Sequence, residues 1–394
     1  GGYFLYRLAV DQASPAAALI ALAFFLYLPF SVAASRSFQP DPFMVALLAI
    51  AAFCALRWAD DRQGNEEKPA WKWVILTGLA AGFAVLVKAV ALYYVAGMLV
   101  AVVLARISLR VALRTRQVWT MAAIAILLPS LYYLSHASSG GDYVQNWVLR
   151  LLPLAFEPAF YVRWLNFLGN LFGLMTILLA LVGLLLASRT YRAMLIGFWA
   201  GYVIYGITLP HQTLTHNYYH LPLVLILALS LVPLIQVVFE AVMQREKLWR
   251  WGLVAVLLGA VIFNAWISRS NFLGTDNRAE IPYWTEVGAA LPTDGKTIGL
   301  VQHYGHLLNY YGRRDIALWP VTSELDLAAL RGNNMDDFEA AFLDRTSGIR
   351  YFLVTTFNQL SQQSLLEQYL NGHYPILDDE PGYRIYDLQG ILTP

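Results

Sequence analysis

A succession of long apolar runs, each near the thickness of a bilayer and each bounded by charge, proline or glycine, constrains this chain more than any other feature. A helix that crosses a membrane needs about 17–25 mostly apolar residues. Nine stretches meet or approach that length: 16–34, 43–58, 73–87, 89–105, 118–134, 164–187, 193–209, 221–239 and 251–268. The third and fourth are separated only by Lys88 and read equally well as one broken helix. With 58% hydrophobic and 13% charged residues over 394 positions, the chain has too little polar surface for a water-soluble domain. The expected fold class is an α-helical polytopic membrane bundle of about nine spans over residues 1–269. A small α/β domain over residues 270–394 is expected to follow it.

The change of character near residue 270 is marked by turn signals such as Pro292-Thr293-Asp294-Gly295 and Gly312-Arg313-Arg314-Asp315. Short apolar runs at 297–301, 316–319, 351–355 and 383–388 read as strands. Segments 282–291, 325–332, 336–347 and 361–371 have helical periodicity. His303, His306, Tyr310 and Tyr311 form no recognisable catalytic set, and Asp379 and Glu380 read as solvated. This domain is expected to be a lid, an acceptor-docking element or a structural unit.

Orientation follows from the loops. Arg7, the basic clusters at 57–72 and 106–116, Arg189 with Arg192, and Arg245, Lys247 and Arg250 fall on one side. The opposite side holds only Arg36, Lys88, Arg150 and Arg163. Short cytoplasmic loops carry the excess of lysine and arginine, so the first set is expected inside and the α/β domain outside. The 59–70 loop reads as solvated and cytoplasmic. The 142–163 loop, with Asp142, Trp147, Arg150, Glu157 and Arg163 among apolar residues, reads as an amphipathic segment on the outer surface. Net charge of +1 implies no nucleic-acid partner, and the lone Cys54 forms no intrachain disulfide.

Cations left on the sparsely charged side are functional candidates. Arg36 stands in the hinge Ser35-Arg36-Ser37-Phe38-Gln39-Pro40-Asp41-Pro42, between two apolar runs. Transfer of a glycosyl or phosphoryl group at a membrane face needs a proton acceptor and fixed positive charge for the departing phosphate. Arg36 suits the phosphate. Asp41 suits a base, a metal ligand or an orienting acceptor. The plainer reading is that Asp41 caps the next helix, with Pro42 at its first position. Lys88 closes Gly78-Leu79-Ala80-Ala81-Gly82, whose small residues allow close helix packing, and offers a point charge for a lipid phosphate. Its plainer reading, shared with Arg36, is snorkelling toward headgroups.

A third cluster, His211-Gln212-Thr213-Leu214-Thr215-His216-Asn217-Tyr218-Tyr219-His220-Leu221-Pro222, stands at the outer entrance to 221–239. His216 and His220 have the i, i+4 spacing of one helix face. A zinc site is disfavoured by the missing Glu of a His-Glu-x-x-His motif. The expected role is a loop that contacts substrate, against the plainer reading of interfacial aromatics. No cofactor is expected, a divalent metal being the lesser alternative.

In this order, Ser35-Arg36 with Asp41, the glycine-rich run ending in Lys88, His216-x-Tyr218-Tyr219 with Pro222, and the α/β tail resemble the GT-C superfamily of membrane glycosyltransferases. The resemblance is strongest to glycosyltransferase family 39 and its bacterial relatives, the protein O-mannosyltransferases and the lipid A aminoarabinose transferases. It implies an inverting transfer from a polyprenyl-phosphate-sugar donor to a lipid, protein or glycan acceptor, on the outer face of a bacterial inner membrane. It further implies that Arg36 and Lys88 hold the donor phosphate and that Asp41 is the second acidic residue of the site. His216, Tyr218, Tyr219 and His220 would line the substrate. The chain opens Gly1-Gly2-Tyr3, just before what would be the family's third span. The first outer loop, with the family's principal base, is therefore expected to lie in a missing N-terminal portion. The competing class is a multi-pass transporter or lipid flippase. Those carry internal repeats and ionisable residues near the midplane, whereas here the ionisable residues gather at one surface and no repeat is visible. A non-catalytic scaffold would have no need of Arg36 or Asp41.

Overall fold

The structure is a computed structural model, and it describes residues 1–64, 71–135, 144–333 and 337–390. Asp142 and most of the expected 59–70 loop lie outside those residues. The chain forms two compact units, Gly1–Phe272 and Leu273–Pro394.

Among the described residues the first unit has helices and no strand, and it is that of an integral membrane protein. Among the described residues four helices are long and apolar enough to cross a bilayer: Asp41–Asp61 within the longer Asp41–Gly64, Arg116–Ser135, Asn217–Met243 and Lys247–Gly274. Two bent pairs raise the number to six, and Trp71–Val87 and Ala91–Arg106 are apolar but shorter. The spans expected at 16–34 and 164–187 are the two bent pairs. The first is Pro15–Tyr27 and Pro29–Arg36, bent by 57°. Pro29 starts the second half with no N–H to give to a helical carbonyl. The other is Pro158–Phe172 and Leu174–Leu186, bent by 90° at Gly173, whose φ of +76° suits glycine alone.

The interior is unusually close-packed where Ala91–Arg106 crosses Arg189–Thr208. A Cβ on Gly97 would strike the carbonyl of Gly197, one on Gly197 the carbonyl of Gly97, and one on Gly201 the carbonyl of Tyr93. Small residues let the two backbones touch, as van der Waals packing between membrane helices requires. The crossing brings Tyr93 and Tyr94 against Tyr205, with ring centroids 5.9 and 6.0 Å apart. Gly197→Ala is expected to force the helices apart and lower the melting temperature by the equivalent of about 1–3 kcal/mol. An unchanged melting curve would mean that the crossing is loose.

Polar contacts sort to two ends of the bundle. At one end Arg57 pairs with Asp11 at 2.7 Å and Arg106 with Asp60 at 3.3 Å, while Trp58 donates to Gln117 at 3.0 Å. At the other, Asp41 pairs with Lys88. Asp41 and Asp60 belong to one helix and are separated along its axis by about 28 Å, close to the roughly 30 Å of a hydrocarbon core. Arg57 and Arg106 of one basic set and Lys88 of the other thus pair with acids near opposite ends of the bundle.

The second unit is a five-stranded sheet in the order β2-β1-β3-β5-β4. The strands are β1 Thr297–Leu300, β2 Ala317–Leu318, β3 Tyr351–Val354, β4 Ile376–Glu380 and β5 Tyr383–Asp387. β1 is parallel to β2 and β3; β5 is antiparallel to β3 and β4. Alternation divides β3 between two cores. Phe352 and Val354 pack with Trp319, Phe342 and Leu370 on one face, and Tyr351 and Leu353 with Trp284, Val287 and Leu308 on the other. Both faces are therefore covered by helices. The edge strand β4 escapes the sequence reading because Asp378-Asp379-Glu380 looks solvated. Its acids are held instead by β5: Arg384 grips Asp379 with two bonds of 2.8 and 2.9 Å, and the Tyr383 hydroxyl donates to Asp378 at 3.0 Å. Acidic side chains on an edge also discourage pairing with other chains. At the loop before β1, the Tyr351 hydroxyl and then Arg350 hold the Asp294 carboxyl below its ordinary 3.8.

Candidate functional site

Asp41 opens the helix Asp41–Gly64 and is 1% exposed. The Met44 N–H donates to the carbonyl of Pro40, so the helix is entered through Pro40 and Asp41 is its first residue. The Asp41 carboxylate does not cap. Both of its oxygens accept from Lys88 Nζ, at 2.7 and 2.8 Å. Lys88 lies at the break between Trp71–Val87 and Ala91–Arg106, where its carbonyl accepts the first bond of the second helix, from Ala91. The 73–87 and 89–105 runs are therefore two helices, and the residue that divides them points its charge at a third.

Lys88 is roofed by aromatic rings. Its ammonium lies 4.8 Å from the centroid of Tyr218 and 4.5 Å from that of Tyr219. A cation over a ring face is attracted by the ring quadrupole, more strongly when desolvated. The two rings contact each other at 4.5 Å, and His216 stands 5.1 Å from Tyr218. Burial, and after it the charge of Lys88, holds His216 below its ordinary 6.5, which keeps its ring uncharged at neutral pH. Asp41, Lys88, His216, Tyr218 and Tyr219 thus come together from three separate segments.

Arg36 and His220 do not join them. Arg36 ends the helix Pro29–Arg36, is exposed, and lies over the ring of Phe272 at 4.4 Å. It pairs with no carboxylate among the described residues. The expected Arg36–Asp41 partnership is corrected to Lys88–Asp41, because the hinge turns Asp41 inward while Arg36 stays at the surface. His216 and His220 share no helix face either. His216 has extended backbone, with φ −135° and ψ 129°, and a tight turn over Asn217–His220 separates it from the next helix. His220 is fully buried; its Nε2 lies 2.8 Å from the carbonyl of Thr213 and its Nδ1 2.6 Å from the Tyr202 hydroxyl. A carbonyl only accepts, so the proton sits on Nε2, and Nδ1 accepts from Tyr202. Tyr202 in turn accepts from Trp164 Nε1 at 3.1 Å. With both nitrogens engaged inside the protein, His220 is a strut that folds the loop back under Tyr218 and Tyr219. Among the described residues no group of three or more His, Cys, Asp or Glu is gathered as a metal site.

Four residues of this neighbourhood are absent from the sequence reading: Tyr94, Trp164, Tyr202 and Tyr205. Tyr202 and Tyr205 are three apart and share a face, just after Gly201. An aromatic face flanking a glycine contact was the available signal. It was masked by the general abundance of tyrosine in membrane proteins.

Residues 3–139 match the family described as dolichyl-phosphate-mannose-protein mannosyltransferase. That stretch contains Arg36, Asp41 and Lys88, while the 216–220 loop lies beyond it. No curated protein matches the chain in sequence. In fold it is similar to ArnT from Cupriavidus metallidurans in the apo state, with a TM-score of 0.53 at 13% identity, over 98% of this chain and 81% of that one. ArnT bound to undecaprenyl phosphate gives 0.51 at the same identity and coverage. The chain is thus similar in fold to ArnT, and its residues 3–139 resemble the mannosyltransferase family.

Proposed function

We propose that the chain is an inverting glycosyltransferase that moves a sugar from a polyprenyl-phosphate-sugar donor to a hydroxyl-bearing acceptor at the outer face of the membrane. The observation that carries this reading is the buried Asp41–Lys88 ion pair under Tyr218 and Tyr219. It stands in a fold that, in ArnT, has been crystallised with undecaprenyl phosphate. A buried ion pair contributes little net stability against an apolar replacement, so its presence asks for another reason.

The chemistry is a displacement at the anomeric carbon. The acceptor oxygen forms the new bond, the bond from that carbon to the phosphate oxygen breaks, and the polyprenyl phosphate leaves with the electron pair. Positive charge fixed at the departing phosphate lowers the barrier. Lys88 has three N–H donors, and Asp41 takes two of them. The third is left for a phosphate oxygen. Asp41 acts in this scheme as the residue that orients Lys88 and keeps it charged. The acceptor proton goes to a base outside the Asp41–Lys88 pair. Tyr218, Tyr219 and His216 stand on the more exposed side of the ion pair.

Transfer of radiolabel from a panel of polyprenyl-phosphate sugars, in membranes holding the chain, tests this reading. Label is expected to move from at least one donor into an acceptor fraction and to stay with the donor in Asp41→Asn. Absence of transfer from every donor, with the protein folded, would turn the assignment toward transport.

A further inference from the structure

Two hydroxyls beside this site have no hydrogen-bond partner among the described residues. Tyr94 and Tyr205 are both 0% exposed, and the oxygen of each is buried and unpaired. A buried polar group without a partner is destabilising and is rare in folded proteins. Here there are two, on helices held together by the Gly97–Gly197 crossing, with ring centroids 6.0 Å apart. Other polar groups of this neighbourhood have partners within the protein. Tyr202 bonds Trp164 and His220, Asp41 bonds Lys88, and Tyr191 donates to the carbonyl of Leu229. Replacing either tyrosine by phenylalanine would remove the unpaired group with almost no change of shape. A chain that keeps both hydroxyls at a cost to its stability has a use for them outside its own hydrogen bonding.

Their position says what they would bind. Tyr205 packs against Tyr219 at 6.4 Å, and Tyr219 is one of the two rings over Lys88. Through Tyr219 the pair neighbours the Lys88 ammonium, whose partner is the Asp41 carboxylate. A second anion is disfavoured beside that carboxylate, so a phosphate belongs with Lys88 and not here. A phenol both donates and accepts, which matches a neutral hydroxyl that does the same. The neighbouring rings of Tyr93 and Tyr219 suit the apolar face of a sugar ring.

We infer that Tyr94 and Tyr205 bind the sugar ring of the donor through its hydroxyls and set which sugar is accepted. This rests on the glycosyltransferase reading above. It adds to that reading a pair of residues outside the hinge, the lysine and the histidine–tyrosine loop.

The test uses Tyr94→Phe and Tyr205→Phe in the full chain, with three readouts: melting temperature, binding of undecaprenyl phosphate without sugar, and kcat/KM with the sugar donor the wild type uses. A site built to bond a substrate hydroxyl rejects the unbonded case strongly, so each variant is expected to lose roughly 10- to 100-fold in kcat/KM. Undecaprenyl phosphate binding is expected to stay as in wild type, and the melting temperature to hold or rise. Unchanged kcat/KM would overturn the inference and leave the hydroxyls as sites for bound water. Weaker undecaprenyl phosphate binding would overturn it by assigning them to the phosphate. A lower melting temperature would overturn it by revealing an internal partner. A wild type inactive with every donor defeats the glycosyltransferase reading itself, and this inference with it. That outcome is distinct from an active wild type whose phenylalanine variants match it.

Discussion

Lys88→Met is expected to cause the largest loss of any single substitution in the membrane unit. It removes the only partner, among the described residues, of a carboxylate that is 1% exposed and leaves the length of the side chain nearly unchanged. An unpaired buried charge costs about 3–5 kcal/mol when its partner is deleted. The melting temperature should fall accordingly, and undecaprenyl phosphate binding should fall with it if Lys88 holds the phosphate. These two effects separate in the double variant Asp41→Asn/Lys88→Met, where no stranded charge remains. Stability should recover most of the way, with a coupling between the sites well above the few tenths of a kcal/mol typical of independent positions. Binding should not recover, because the cation is still missing. Full recovery of both would make the pair a structural device. Loss of neither in the single variant would show that the pair serves neither stability nor phosphate binding.

Much of the bundle is legible in the sequence because lipid imposes a simple rule. Backbone groups must be satisfied within each span, so a long apolar run has to be a helix. All nine expected stretches fall on helices or bent helix pairs. The bends were less visible. Pro29 and Gly173 stand in the sequence, yet proline and glycine are tolerated inside membrane helices when neighbours resatisfy the backbone. Only the packing decides whether they bend a span by 57° or 90°. In the α/β unit, alternation was enough for the central strands. It failed for β4, whose acids are satisfied by Arg384 and Tyr383 from the strand beside it.

The site was legible as a list but not as a set of partnerships. Arg36 and Asp41 are five residues apart and look like a pair, whereas Asp41 and Lys88 are 47 apart. Proximity in sequence is a poor guide at a hinge between helices, since the turn can send neighbouring side chains in opposite directions. His220 shows the same limit. Its spacing from His216 suggests a shared face, but the tight turn at 217–220 withdraws one ring into the core and leaves the other at the surface. What no spacing rule reveals is satisfaction. Tyr202 and Tyr205 are three residues apart and equally buried, yet only the first has its hydroxyl engaged.

Arg36→Ala is expected to leave folding nearly untouched and to slow transfer severely. The two halves of this expectation come from different magnitudes. The contact Arg36 makes here, over Phe272 at 4.4 Å, is an exposed cation–π contact worth about 0.5–1 kcal/mol, and no carboxylate among the described residues holds it. Moving the guanidinium to a lipid phosphate therefore gives up little, while a bidentate, charge-assisted contact gains more than that. Fixed charge at a departing phosphate contributes on the order of 2–4 kcal/mol to the transition state, or roughly 30- to 900-fold in rate. The loss should fall mainly on kcat, with undecaprenyl phosphate binding weakened less than in Lys88→Met, since Lys88 is already held in place and Arg36 must move. Arg36→Lys should restore part of the rate, because it keeps the charge and loses the planar fork. Wild-type turnover in Arg36→Ala would remove Arg36 from the site and leave Lys88 as the cation that meets the phosphate. A fall in melting temperature as large as the fall in rate would instead make the contact with Phe272 the reason that Arg36 is there.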